Sequence, residues 1–295
     1  MKTYISVNIV SQALLLVLAI KKHGCDDIKE IEQLKLPYGV NRDAAIAFAH
    51  QCEWLKICNR SIVFTHFGET IADSFNGVMI DQSLWQAILA KYIKTSEPAW
   101  AQRIPYGRKE AYLIMTIEEQ RCFDEAGLMD STDAAVIDWW DSIAEYERAI
   151  KASSLVDIGR EGERLTVLFE QERTGFTPEW ISIESNLAGY DILSHKEGDS
   201  EDNILIEVKS SNKAIDDAFC IITRHEWETA QRKNNIERYF FYLWDISKKS
   251  PVLAIVKPAE MQPYIPVDSG VGKWEEVSIP FSAFEDAFFN VSLAF

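Results

Sequence analysis

The sequence predicts a mixed α+β or α/β chain built in three parts. Residues 1–78 carry three helical patterns followed by two short β-like runs. Residues 79–150 read mostly as helix, with breaks near Pro98, Pro105-Tyr106-Gly107 and Gly127. From residue 151 to 295 a helical segment gives way to strand-like runs with one capped helix among them, the order of a mixed sheet flanked by helices.

Composition allows such a chain and excludes several others. Of 295 residues, 47% are hydrophobic and 26% charged, so collagen-like, low-complexity and mostly disordered readings fail. At ~100–200 residues per domain, the length suggests two domains or one with an appended module. Acids outnumber bases 46 to 30, a net charge of −16. Residues 1–80 are neutral, 81–150 carry −6 and 151–295 carry −10. Bulk electrostatics will not hold this chain on DNA or an anionic membrane, so any nucleic-acid contact must be local, cation-assisted or helped by a partner. The five cysteines show no CxxC pair and the five histidines no HExxH, which fits a reducing, cytoplasmic setting without a zinc site.

The first helix spans about Ile9–His23 and ends at Gly24. Its run ALLLVLAI imitates a signal sequence, but Asn8, Ser11 and Gln12 interrupt it and no small-residue cleavage site follows. It is too short to cross a bilayer and reads as a buried helix, with no membrane partner expected. A second helix starts near Asp26. Asn41 can cap a third, RDAAIAFAHQCEWL. LKIC and SIVFT then form two short strands around Asn59-Arg60.

Three helices and a hairpin is the order of a winged helix, and IVFTHFGETIADSF resembles the second wing strand and exit of such domains. A DNA-reading winged helix lays its third helix in the major groove. Here that helix offers Arg42, His50 and Gln51 against Asp43 and Glu53, and the hairpin adds Lys56 and Arg60. This is a poor phosphate surface and favours a protein-interaction or dimerisation module. Arg42, Lys56 and Arg60 are the residues a DNA contact would use. In the connector, TDAAVIDWWDSIAEYERAIKAS is a long helix that Trp139 and Trp140 dock onto a neighbour.

The last part opens with a helix over about Leu155–Thr174 that stops at Gly175. Strands follow at WISIES, YDILSH, NILIEVKSS, YFFYLWDI and PVLAIVKP. Between them lies a helix from Arg224 to about Asn234, opened by a capping box of Thr223 and Glu226.

The chemistry concentrates in GREGE (159–163), GYD (189–191) and IEVK (206–209). Strand alternation puts Leu205, Glu207 and Lys209 on one face and Ile204, Ile206, Val208 and Ser210 on the other. A polar connection around Gly198 lets 190–195 and 203–210 pair antiparallel, which brings Asp191 beside Glu207. Two adjacent carboxylates repel each other, and a hard dication such as Mg²⁺ relieves the conflict. Lys209 is placed to orient water or to stabilise a charged transition state. Glu163 borders the apolar stripe of its helix, within reach of the sheet, and Gly159 and Gly162 permit close approach. Ser210 follows the strand and is a candidate phosphate contact.

The pattern G-x-x-G-E, then G-Y-D, then hydrophobic-E-V-K resembles the PD-(D/E)xK nuclease superfamily. Within it the likeness is greatest to Mrr-type restriction-endonuclease-like domains and to the NO VEIN C-terminal domain, whose style FCIITRHEWETA and YFFYLWDI also share. The resemblance covers roughly residues 150–260. It implies Asp191, Glu207 and Glu163 as metal ligands, Lys209 as the catalytic lysine, and Mg²⁺-dependent cleavage of DNA, with Mn²⁺ able to substitute. Tyr190 stands where the motif has Pro, a common departure. The analogy also implies a nuclease component of a bacterial defence or restriction system. The acidic charge then calls for a partner such as a helicase or other ATPase, or for a homodimer. A catalytically silent nuclease-fold scaffold, or a winged-helix regulator, is the alternative.

Weaker candidates have structural readings. DSGVGKW (268–274) lacks the phosphate-loop spacing and reads as a surface loop. Thr223 and Glu226 read as a helix cap, Trp227, Phe240 and Trp244 as core, and His195 as an exposed hairpin histidine.

Overall fold

The computed structural model describes residues 3–185, 187–196, 199–269 and 272–291. They divide into two compact units, Met1–Lys151 and Ala152–Phe295.

In the first unit, α1 (Val7–His23) begins at Ser6, whose hydroxyl accepts from the Ile9 amide. Val10, Ala13, Leu14, Leu16, Val17 and Ile20 are completely buried. A helix apolar nearly all round belongs in a core, and that explains its resemblance to a signal sequence. α2 (Ile28–Gln33) is capped by Asp27 and α3 (Arg42–Gln51) by Asn41. β1 (Leu55–Cys58) pairs antiparallel with β2 (Ser61–Phe64). Asn59 and Arg60 join them with φ of 51° and 84°, the twist of a primed hairpin turn.

α4 (His66–Ser74), α5 (Gln82–Ser96), a 3-10 segment (Ala99–Tyr106), α6 (Arg108–Tyr112) and α7 (Ile117–Glu125) complete this unit with the start of α8 (Ala134–Thr174). Where the sequence separates 1–78 from 79–150, side chains from both segments fill one core running from Ile5 to Ala144. Trp139 and Trp140 dock on Phe123, as the connector pattern anticipates. The two helices expected on either side of Ser153-Ser154 are one continuous helix, α8. Nothing there breaks it. No proline occurs between Ala134 and Gly175, and Gly159 and Gly162 each cost only about 1 kcal/mol in a helix interior.

The second unit adds β3 (Glu179–Trp180), α9 (Ile181–Glu184), β4 (Ile192–Lys196), β5 (Asp199–Ser211), β6 (Phe219–Thr223) and α10 (Arg224–Ala230). Then come β7 (Tyr239–Asp245), β8 (Val252–Val256), α11 (Pro258–Met261), β9 (Glu276–Pro280) and β10 (Phe288–Asn290). A six-stranded sheet runs β10-β8-β7-β5-β4-β3, and β6 pairs with β9 in a separate ribbon. Among the described residues only β5 and β7 pair parallel in the large sheet, so it is mixed.

WISIES forms two strand residues and then turns into α9, because the Ile181 and Ser182 amides both donate to the Asp191 carbonyl at 2.8 and 3.1 Å. α10 ends at Ala230, short of Asn234, where Asn235 Nδ2 donates to the Thr229 carbonyl.

The two sheet faces are covered differently. Leu165 of α8 packs with Ile192, Ile206, Val208 and Trp244 on one face. Trp227 and Ala230 of α10, with Cys220 and Ile222 of β6, pack with Leu205, Tyr239 and Phe241 on the other. α8 is also tied by polar groups. Glu170, fully buried, accepts from Arg173, Ser194 and Tyr242. Trp244 Nε1 donates to Thr166 Oγ1 at 2.7 Å. A buried carboxylate is tolerated only with this kind of complete pairing. Gly198 of the expected turn, and Gly270 and Val271 of the loop 268–274, lie outside the described residues.

Candidate active site

The β4–β5 hairpin has the register Ile192↔Ile206 and Leu193↔Leu205. One step beyond, the Asp191 amide donates to the Ile206 carbonyl at 2.9 Å, and Asp191 Oδ2 accepts from the Val208 amide at 2.8 Å. The side chain thus takes the place of the next carbonyl in the ladder. With the α9 amides on its carbonyl, residue 191 is held by backbone bonds on both sides.

Glu207 and Lys209 lie on the same face of β5 as Leu205, the face that α10 covers. Glu207 is 4% exposed, and its Oε1 pairs with Lys209 Nζ at 2.8 Å. Lys209 Nζ also donates to Glu226 Oε1 at 2.9 Å. Glu226 is the residue missed by reading it only as a cap. The cap is real, since Glu226 Oε2 accepts from the Thr223 amide at 2.8 Å. The other oxygen of the same carboxylate meets the lysine.

Tyr239 is the second omission. Fully buried, it donates its hydroxyl to the Gly189 carbonyl at 2.7 Å. Gly189 has φ of 77°, and a Cβ there would lie 2.5 Å from Thr229 Oγ1 of α10. The turn before Asp191 therefore needs glycine both for its backbone and for the helix packed on it.

Electrostatics follow from burial. Desolvation pushes the Asp191 carboxyl up to about 6 from an ordinary 3.8; the Val208 amide opposes the rise and the Glu163 charge adds to it. Desolvation also lifts Glu207 well above the usual carboxylate range, against the pull of Lys209 and with help from Asp191 and Glu226. Burial disfavours the Lys209 ammonium, but Glu207 and Glu226 outweigh it and hold the group protonated well past its ordinary range. Tyr239 is raised by burial first and then by the same acids, so it is a neutral donor.

The remaining candidates stand apart from this group. Three donors converge on Glu163 Oε2: Arg160 at 2.9 Å, Trp180 Nε1 and Ser182 Oγ. Its charge reaches Asp191, and it is Oε2 that these three partners engage. Among the described residues, no three His, Cys, Asp or Glu side chains form a ready-made metal cluster. Ser210 points to the opposite face, where its hydroxyl donates to the Ile158 carbonyl at 2.7 Å. Gly162 is what allows that contact, whereas Gly159 faces open space, so only one of the two expected close approaches exists. His195 is half-buried against Phe176 rather than exposed. In the first unit, Arg42 Nη2 donates to the Leu34 carbonyl at 2.7 Å, while Lys56 and Arg60 are exposed.

The donor set fits a hard cation. Mg²⁺ keeps several waters and is held by one or two carboxylates, a requirement that Asp191 and Glu207 meet. Glu207 is buried and Asp191 half-buried, and both resist ionisation, a conflict that a dication relieves.

Residues 162–256 match the family described as Protein NO VEIN, C-terminal. The matched stretch contains Glu163, Asp191, Glu207, Lys209 and Glu226. No curated protein and no solved structure matches the chain. Among the described residues, no helix is long and apolar enough to cross a membrane.

Proposed function

We propose that the second unit is a Mg²⁺-dependent endonuclease of the PD-(D/E)xK type acting on DNA. The observation that carries the reading is the meeting of Asp191, Glu207 and Lys209 at one end of the β4–β5 hairpin, inside the segment that matches the NO VEIN C-terminal family. Asp191 and Glu207 would hold the cation, and Mn²⁺ fits the same donors. A dication held by them would supply Lewis-acid polarisation of a phosphodiester and a more acidic bound water. Lys209, kept protonated by its two acids, brings a positive donor to the charge that develops on the phosphate. The negative field of Glu163 opposes ionisation of Asp191 in the absence of metal and would favour a cation held there. The likeness to restriction-type domains favours a defence role with a protein partner, and the three helices and hairpin of the first unit suit a winged-helix interaction module.

The test is cleavage of plasmid, linear DNA and matched RNA with Mg²⁺ or Mn²⁺. Wild type is expected to cut DNA, and Lys209→Ala to lower turnover by about 100- to 1000-fold. Cleavage of RNA alone would move the substrate class. The competing reading is a silent scaffold, favoured by Lys209 being engaged by acids on both sides. Calorimetry separates the two: stoichiometric cation uptake, lost in Asp191→Ala, supports the nuclease, and no uptake by wild type rejects it.

A further inference from the structure

Lys209 sits between two carboxylates, Glu207 Oε1 at 2.8 Å and Glu226 Oε1 at 2.9 Å. These two acids are not equivalent. Glu207 lies on the same strand, 4% exposed, and feels the charge of Asp191, which precedes the hairpin partner β4. Glu226 comes from α10, the helix that covers this face of the sheet. Its carboxylate is already fixed before it meets the lysine, because Oε2 accepts from the Thr223 amide while Thr223 Oγ1 accepts from the Glu226 amide. The helix itself is seated on the turn before Asp191. His225 Nε2 lies 3.0 Å from the Leu187 carbonyl, and Thr229, 1% exposed, packs on Gly189.

This asymmetry has a chemical consequence once Glu207 serves a cation. An ammonium hydrogen-bonded to a carboxylate competes with any cation for the same oxygens, and like charges at such range repel strongly where water is excluded. A buried ammonium that loses its only acid is left unpaired, which is costly. A second acid, held independently of the first, removes both problems. It gives the lysine a place to stay while Glu207 turns to another ligand.

We propose that Glu226 is the positioning residue of Lys209: it retains the ammonium beside the site when Glu207 binds a cation, so that cation and lysine occupy the site together. The proposal rests on the nuclease reading above and names a role for α10 in it. Its one-sided geometry makes a specific prediction. Glu226→Gln keeps an oxygen for the Thr223 amide, and so keeps the cap, but weakens the hold on Lys209. The lysine then remains on Glu207 and competes with the cation.

The experiment is a double-mutant cycle read by Mn²⁺ calorimetry on the full chain, using wild type, Glu226→Gln, Lys209→Met and the double variant, with thermal unfolding run alongside. Glu226→Gln is expected to weaken Mn²⁺ binding by about tenfold in wild type, a coupling of ordinary size for groups in contact. With Lys209→Met there is no competitor, and the same change is expected to cost less than about threefold, the residue of losing one nearby negative charge. In cleavage assays Glu226→Gln is expected to lower kcat with KM nearly unchanged, because the lysine is misplaced and not the substrate. A merely structural Glu226 would instead move unfolding and leave Mn²⁺ affinity alone. Equal losses in both backgrounds, or none in either, overturn the inference while leaving the nuclease reading intact. Failure of wild type to take up Mn²⁺ rejects the nuclease reading, and this inference with it.

Discussion

Asp191 does two things with one carboxyl. Oδ2 completes the hairpin ladder by accepting from Val208, and the group stays half-buried near Glu207. The second role sets a pH dependence. The folded carboxyl titrates near 6 against an ordinary 3.8, so between those values the folded chain holds a proton that the unfolded chain has lost. A raised acid pKa contributes stability at low pH that is lost as pH rises through the folded value. The loss is on the order of 2–3 kcal/mol at about 1.4 kcal/mol per pH unit. Asp191→Asn keeps an acceptor for Val208 but cannot ionise. In chelator, its urea-denaturation stability is expected to fall less than that of wild type between pH 4 and pH 7. Parallel curves would show that Asp191 does not carry the effect. The lysine side of the site was legible from strand alternation alone, as was the approach of Asp191 to Glu207. The bond from Lys209 to Glu226 was not, because T-x-x-E already has a complete local explanation as a cap. A residue that satisfies one motif gives no sign in sequence that its other oxygen is in use.

Among the elements, α8 shows where local pattern suffices and where it stops. Its two glycines look alike in sequence, three residues apart. A Cβ at Gly162 would lie 2.6 Å from Ser210 Cβ and Oγ, whereas at Gly159 it meets nothing within 4 Å. Gly162→Ala is therefore expected to destabilise by roughly 1–3 kcal/mol, the usual cost of overpacking. Gly159→Ala is expected to stabilise by about 0.5–1 kcal/mol through helix propensity. Chemical denaturation of the two variants checks the contrast, and like signs would refute the packing assigned to this helix. Helix caps, the hairpin at Asn59-Arg60 and the β4–β5 pairing were readable because each is decided within a few residues. The short β3 was not, since the Asp191 carbonyl bends the chain from ten residues away. Nor was the ribbon of β6 and β9, which joins Cys220 to Ile279.

At the scale of the whole molecule, a charge of −16 governs its dealings with polyanions. Arg42 is tied to the Leu34 carbonyl, which leaves Lys56 and Arg60 of the hairpin as the exposed bases among the three candidate contacts. Two phosphate contacts against a neutral segment supply little affinity. Lys56→Glu with Arg60→Glu is expected to change duplex binding by less than about twofold in anisotropy titrations at low salt. A tenfold loss would instead make the hairpin a DNA contact. The parallel pairing of β5 with β7 bears on how the protein is made. The hairpin joins Ile192 to Ile206, close along the chain, while Leu205 meets Tyr239 only after a crossover through β6 and α10. Local closures come early in folding and parallel crossovers late. By that rule a refolding chain is expected to close the hairpin that carries Asp191 and Glu207 before β5 pairs with β7. The two acids thus share a closure that depends on the hairpin alone, and a divalent ion in the refolding buffer can meet them before the parallel pairing is complete.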